Sequence, residues 1–124
     1  MKTLLVLMIL TSSLYAQDIA HLSGSGNRLV LQCATALRYT DNASVFTAGE
    51  RMDLGYCLGL VRGVTETLVL LNKIEPNPQG GVRLVQKYLH DHPEELVNPD
   101  TVLVFRALTE AFPRPKRTDN RNVK

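Results

Sequence analysis

Residues Thr47 to Asn72 read TAGERMDLGYCLGLVRGVTETLVLLN, a run with no proline. As a helix it would be roughly 39 Å long at about 1.5 Å rise per residue. It opens with a capping box: the Thr47 hydroxyl can accept from the backbone N–H three residues on, and Glu50 can reach back to the N–H of Thr47. On a helical wheel Cys57, Leu60, Val61, Val64, Leu68 and Leu71 share one broad apolar arc, the pattern of a helix with a buried face. Gly55, Gly59 and Gly63 make a second stripe at four-residue spacing, beside Arg62 and Glu66. An interior glycine costs a helix about 1 kcal/mol relative to alanine, so the stripe predicts a bare groove where another helix packs closely. A membrane dimerisation motif of the G-x-x-x-G kind has the same spacing. Arg51, Asp53, Arg62 and Glu66, however, interrupt every window of the about 20 apolar residues that a bilayer requires. The run is read as the central helix of a soluble bundle.

Three shorter helices are expected around it. One spans about Asn27 to Tyr39, with Leu29, Val30, Cys33, Ala36 and Leu37 at three- and four-residue spacing. Asp41 to Phe46 is a loop, with Val45 and Phe46 turned inward before the Thr47 cap and Phe46 stapled weakly against Arg51 or Met52. Asn72 to Gly81, NKIEPNPQGG, ends the long helix with two prolines and two glycines and permits a protruding loop. A third helix covers about Gly81 to Asp91, with Val82, Val85 and Leu89 on one face, Leu84 and Tyr88 beside it, and Pro93 as its stop. A fourth starts with Asn98 as N-cap and Pro99 at the first helical position. It carries Val102, Leu103, Phe105, Ala107, Leu108, Ala111 and Phe112, and Pro113 ends it. The expected fold is an all-α compact bundle of four main helices with one long central helix.

Met1 to Ala16 has the build of a secretory leader: Lys2, the apolar run Leu4 to Leu10, then a polar stretch ending in a small residue. Cleavage near Ala16 would leave Gln17 first and give a periplasmic protein with no membrane contact afterwards. Gln17 to Asn27 is polar and glycine-rich, a loose lead-in, and residues 17–113 suffice for one domain with one core. Charge is segregated. Residues 17–113 hold 8 basic and 11 acidic side chains, whereas Arg114, Lys116, Arg117, Arg121 and Lys124 crowd a tail opposed only by Asp119. A nucleic-acid binder would carry its positive charge on a folded face, so residues 114–124 are read as a basic, disordered end and no nucleic-acid partner is expected.

Cys33 and Cys57 are the only cysteines. After export a disulfide is the default, closing a loop of about 25 residues and contributing roughly 3–4 kcal/mol in the chain-entropy model. The alternative is a nucleophilic thiol assisted by histidine, which has no local signature here. His90 and His92 flank Asp91, with Glu94 and Glu95 close by, but an H-x-H pair on a helix diverges and lacks a defined third ligand. Histidines there also suit the free carbonyls of a helix end. Arg62 and Glu66, one turn apart, read as a surface ion pair. No phosphate-cradling loop and no G-x-S-x-G is present. The expectation is a protein without catalysis, metal or cofactor.

Four pieces, in order, resemble the Rap/Tai family of type VI secretion immunity proteins. They are the leader, GYCLGLVRGVTETL at Gly55 to Leu68, KYLHDHPEEL at Lys87 to Leu96, and LVFRALTEAFP ending at Pro113. The resemblance implies a helical, periplasmic, usually dimeric protein that occupies the cleft of a papain-like peptidoglycan amidase delivered by neighbouring or sibling cells. Many relatives carry a second cysteine pair, just after the long helix and directly after the AFP motif. This chain has Arg114 at the second place and no cysteine in Ile74 to Pro78, which leaves open how the loop is held. The position of the loop in the resemblance makes Lys73, Glu75, Asn77 and Gln79 candidates for partner contact; an ordinary solvated connection is the alternative. Two other functions remain at this point, a small periplasmic stress chaperone and a protein of the same fold without an effector partner.

Overall fold

The computed structural model describes residues 24–41, 45–75 and 78–114; the leader, residues 17–23, Asn77 and the basic residues from 115 onward lie outside the described residues. Among the described residues there are four α helices in order, α1 Gly26–Asp41, α2 Ala48–Leu70, α3 Gly81–Asp91 and α4 Asp100–Ala111, with a 3-10 turn Pro93–Glu95 between the last two. Among the described residues the only β pairings are isolated bridges, Ser25 with Pro99 and Ile74 with Pro113. The chain is an all-α bundle with one long helix, as its periodicity predicts.

α2 begins where its capping box places it. The Thr47 hydroxyl accepts from the Glu50 N–H at 3.2 Å, and the Thr47 N–H donates to the Glu50 carboxylate at 2.9 Å. At the other end Asn72 takes a left-handed φ of 54°. Its N–H donates to Val69 at 2.9 Å and that of Lys73 to Leu68 at 2.8 Å, the paired bonds of a Schellman stop. The Cys33–Cys57 disulfide ties α1 to α2 across a Cα–Cα distance of 5.2 Å. Both cysteines are fully buried among Leu29, Ala36, Val61, Val85, Leu89, Leu103, Val104 and Leu108.

Several local expectations give way to tertiary contacts. The lead-in is not loose up to Asn27. Gly26 N–H donates to Asn98 and Asn27 N–H to Leu96, each at 3.2 Å, while Asp100 N–H donates to Gly24 at 3.0 Å. That docking also moves the start of the last helix. With Asn98 accepting from Gly26 and Pro99 bridged to Ser25, Pro99 stays extended at φ −56° and ψ 139° and becomes the cap in place of Asn98. Phe46 is buried, but against Tyr39 at 5.8 Å and beneath the Arg38 guanidinium at 5.1 Å rather than on Arg51 or Met52. Val45 beside it is fully exposed. Leu71, assigned to the buried arc, is 61% exposed because the chain leaves the helix there. Val104, which the α4 pattern skipped, is fully buried.

Candidate functional site

The loop between α2 and α3 carries the residues marked for partner contact. Lys73 and Gln79 are exposed, Glu75 is half-buried, and Asn77 falls outside the described residues. Ile74, between Lys73 and Glu75, is 1% exposed and bridged to Pro113. Burial and backbone pairing therefore hold the first half of the loop, at the place where the resemblance would have put a disulfide. At Pro78 the chain lies against α2. Pro78 lines a shallow concavity with Leu58, Val61, Arg62, Thr65 and Glu66. Gly80, at φ 72°, turns the chain into α3 in a conformation few side chains tolerate. Of the described loop residues, Lys73 and Gln79 are thus exposed, Ile74 is buried and Pro78 faces α2.

The rim of that concavity is charged. Arg62 Nε donates to Glu66 at 2.7 Å with both side chains well exposed, the surface pair the spacing predicts. On the opposite side of α2 lies a second groove without any charge, lined by Gly59, Leu60, Gly63, Val64, Thr67, Leu71 and Phe105. A Cβ added at Gly55, Gly59 or Gly63 would meet nothing within 4 Å. Among the described residues no helix packs into the glycine stripe, contrary to the sequence expectation. The reason is angular: Gly59 and Gly63 each follow a core residue, Cys57 and Val61, by two positions, about 200° around an α helix. They therefore point away from the core.

Two polar clusters join the helices, one around the buried Asp100 and one half-exposed around Glu95. Asp100 is 1% exposed; its carboxylate accepts from the Tyr56 hydroxyl and, at 2.7 Å, from the Thr101 N–H. Burial first, and then the Asp100 hydrogen bond, push the Tyr56 phenol up. In the second cluster the Tyr88 hydroxyl donates to Glu95 at 3.0 Å and Arg106 donates to the same oxygen at 2.8 Å. The Arg106 bond is the main reason the Glu95 carboxyl sits below its ordinary range. His92 stacks on Tyr88 with ring centres 4.3 Å apart and lies 3.4 Å from Glu94, while His90 faces solvent. Among the described residues no group of three or more His, Cys, Asp or Glu side chains is placed to hold a metal ion. Asp100 and Gln32, the two buried polar residues among those described, carry no local pattern in the sequence; only the helix-start preference for an acid could have drawn attention to Asp100.

No family model, no curated protein and no solved structure matches this chain.

Both thiols are consumed in the disulfide, so a cysteine nucleophile is ruled out for this oxidised form. No described helix is long and apolar enough to cross a membrane. What the described surface offers is binding area: the Pro78 concavity edged by Arg62 and Glu66 on one side of α2, the uncharged groove on the other.

Proposed function

We propose that this chain is an exported, periplasmic immunity protein that binds and blocks a type VI secreted peptidoglycan amidase, with no chemistry of its own. The observation that carries the reading is where the resemblance motifs fall. Cys57 is one half of the disulfide, Tyr56 bonds Asp100, Tyr88 bonds Glu95, and Pro113 pairs with Ile74 at the base of the candidate loop. Residues that build one scaffold explain why such pieces would keep their order. The leader and the disulfide support export. The partner face is the loop between α2 and α3, with Lys73, Glu75, Asn77 and Gln79 as its contacts. The test is capture of the small cysteine amidase encoded beside this chain, followed by a peptidoglycan digestion assay. Nanomolar binding that abolishes digestion is expected; no binding to any neighbouring amidase would sink the proposal. Alanine at the four loop residues should weaken capture, and unchanged affinity would move the contact elsewhere.

The same reading makes the chain a homodimer, and the glycine groove is its interface. Phe105 is 49% exposed beside Gly59 and Gly63, so a two-fold axis can seat each ring in the other copy's bare groove. Gly59→Ala adds a methyl that touches nothing among the described residues. It should stabilise the helix by up to about 1 kcal/mol while loosening the dimer, as read by sedimentation; a dimer of unchanged affinity would exclude this face. The uncharged groove also favours a second function, a chaperone that exposes apolar surface. Acid-dependent dissociation with dye binding, and no amidase capture, would select it.

A further inference from the structure

A third concavity opens where α3 meets α4. Its volume is about 200 Å³, below the roughly 300–1,000 Å³ of a pocket for a drug-sized ligand but enough for one long side chain. Leu84 and the buried Ala107 give it an apolar base, and the rings of Tyr88 and His92, with centres 4.3 Å apart, form a wall. Asp91 and Glu110, both exposed, stand at its mouth. The neighbouring charges are committed elsewhere: Lys87 donates to Asp91, Arg106 to Glu95, and Glu94 lies beside His92. Glu110 has no hydrogen bond or ion pair among the described residues. It also sits in the last turn of α4, which holds no basic side chain, so the partial negative charge of the helix end opposes its carboxylate. Lys87 thus offsets one of the two carboxylates, and the other is left unmet.

We propose that this cleft takes an arginine side chain presented by a protein partner. The methylenes lie on Leu84 and Ala107, the guanidinium plane rests against the Tyr88–His92 wall, and its forked donors reach Glu110. One incoming cation answers both defects. It neutralises the carboxylate that has no partner, and it supplies the positive charge that the last turn of α4 lacks. An anion would meet two carboxylates at the mouth, and a neutral apolar group would leave Glu110 uncompensated. A bare cation would leave the apolar base unused, and the compact ammonium of lysine lacks the plane that stacks on the rings. The cleft shares no residue with the glycine groove or with the loop before α3. On α4, Ala107 follows Phe105 by two positions, about 200° around the helix, so the cleft stays open when a second copy covers the groove. The inference goes beyond the amidase reading and does not rest on it.

The experiment is a titration of the full, disulfide-bonded, isotopically labelled chain with N-acetyl-arginine-N-methylamide, followed by amide chemical shifts. A single blocked residue should bind with a Kd on the order of 1 mM, with saturable shifts at Tyr88, Asp91, Ala107 and Glu110. The citrulline counterpart, which keeps the shape and loses the charge, should bind at least about tenfold more weakly, and the lysine counterpart about threefold more weakly. Binding should fade as salt is raised. Glu110→Gln should weaken it by about tenfold without lowering the melting temperature, since the carboxylate has no partner to lose. Ala111→Leu, which puts apolar bulk into the cleft, should weaken it as well. No saturable shift, shifts confined to other residues, equal binding of arginine and citrulline or of arginine and lysine, or unchanged affinity in Glu110→Gln would overturn the proposal. So would binding of free arginine but not of the blocked form, because the cleft would then read an amino acid rather than a side chain of a protein.

Discussion

Gly26 has no room for a side chain. A Cβ there would stand 2.8 Å from the Leu96 Cα and 2.9 Å from its carbonyl oxygen, and backbone cannot swing aside as a flexible side chain can. Gly26→Ala should therefore destabilise the fold by about 1–3 kcal/mol, measured by denaturant titration. A loss below the error of that titration would show that the lead-in is not docked. Asn72 poses the opposite case. It holds a left-handed φ of 54°, which asparagine tolerates better than most residues but glycine adopts freely. Asn72→Gly should leave stability unchanged or raise it by a few tenths of a kcal/mol, and Asn72→Ala should lower it by about 1 kcal/mol. Equal melting temperatures for the two variants would contradict the Schellman stop. The two positions differ in legibility. A glycine before a helix looks like slack in any sequence, and only the arrival of Leu96 from 70 residues away makes it tight.

Among the elements, α2 was the most legible because its signals are local. The capping box, the missing prolines and the apolar spacing all act within a turn or two of the helix, and the observed start at Ala48 follows them. Glu50 links this cap to solution pH. The Thr47 backbone N–H first, and then Arg38, hold its carboxyl below the ordinary glutamate range. A folded-state value below the unfolded one means that the contribution is complete above the unfolded value, about pH 4.3. It is lost as the pH falls below that through the folded value. Glu50→Gln should therefore melt lower than the parent at neutral pH and lose less on acidification to pH 3; parallel curves would show that the cap carries no charge dependence. Thr47→Ala should cost about 1 kcal/mol through the same cap. The helix expected to start at Asn98 fared worse because its beginning is set by Ser25 and Gly26, which no window around residue 98 contains.

At the scale of the whole molecule, Ile74 is the joint between the loop and the last helix. It is 1% exposed and paired with Pro113. Ile74→Ala should cost about 2–5 kcal/mol and render the adjoining loop and the last turn of α4 sensitive to limited proteolysis together. Cleavage at only one of the two would argue against a shared anchor. By itself the sequence determined the helical class, the number and rough bounds of the helices, and the disulfide. Periodicity, capping and prolines act over neighbouring residues, and a chain with two cysteines leaves one pairing. The tertiary structure alone decided that the lead-in is pinned, that Asp100 is buried under Tyr56, and that Ile74 meets Pro113. It also decided that the glycine stripe faces open space rather than another described helix. Each of these depends on which surfaces meet across dozens of residues, and that is fixed by how four apolar faces close around a single core.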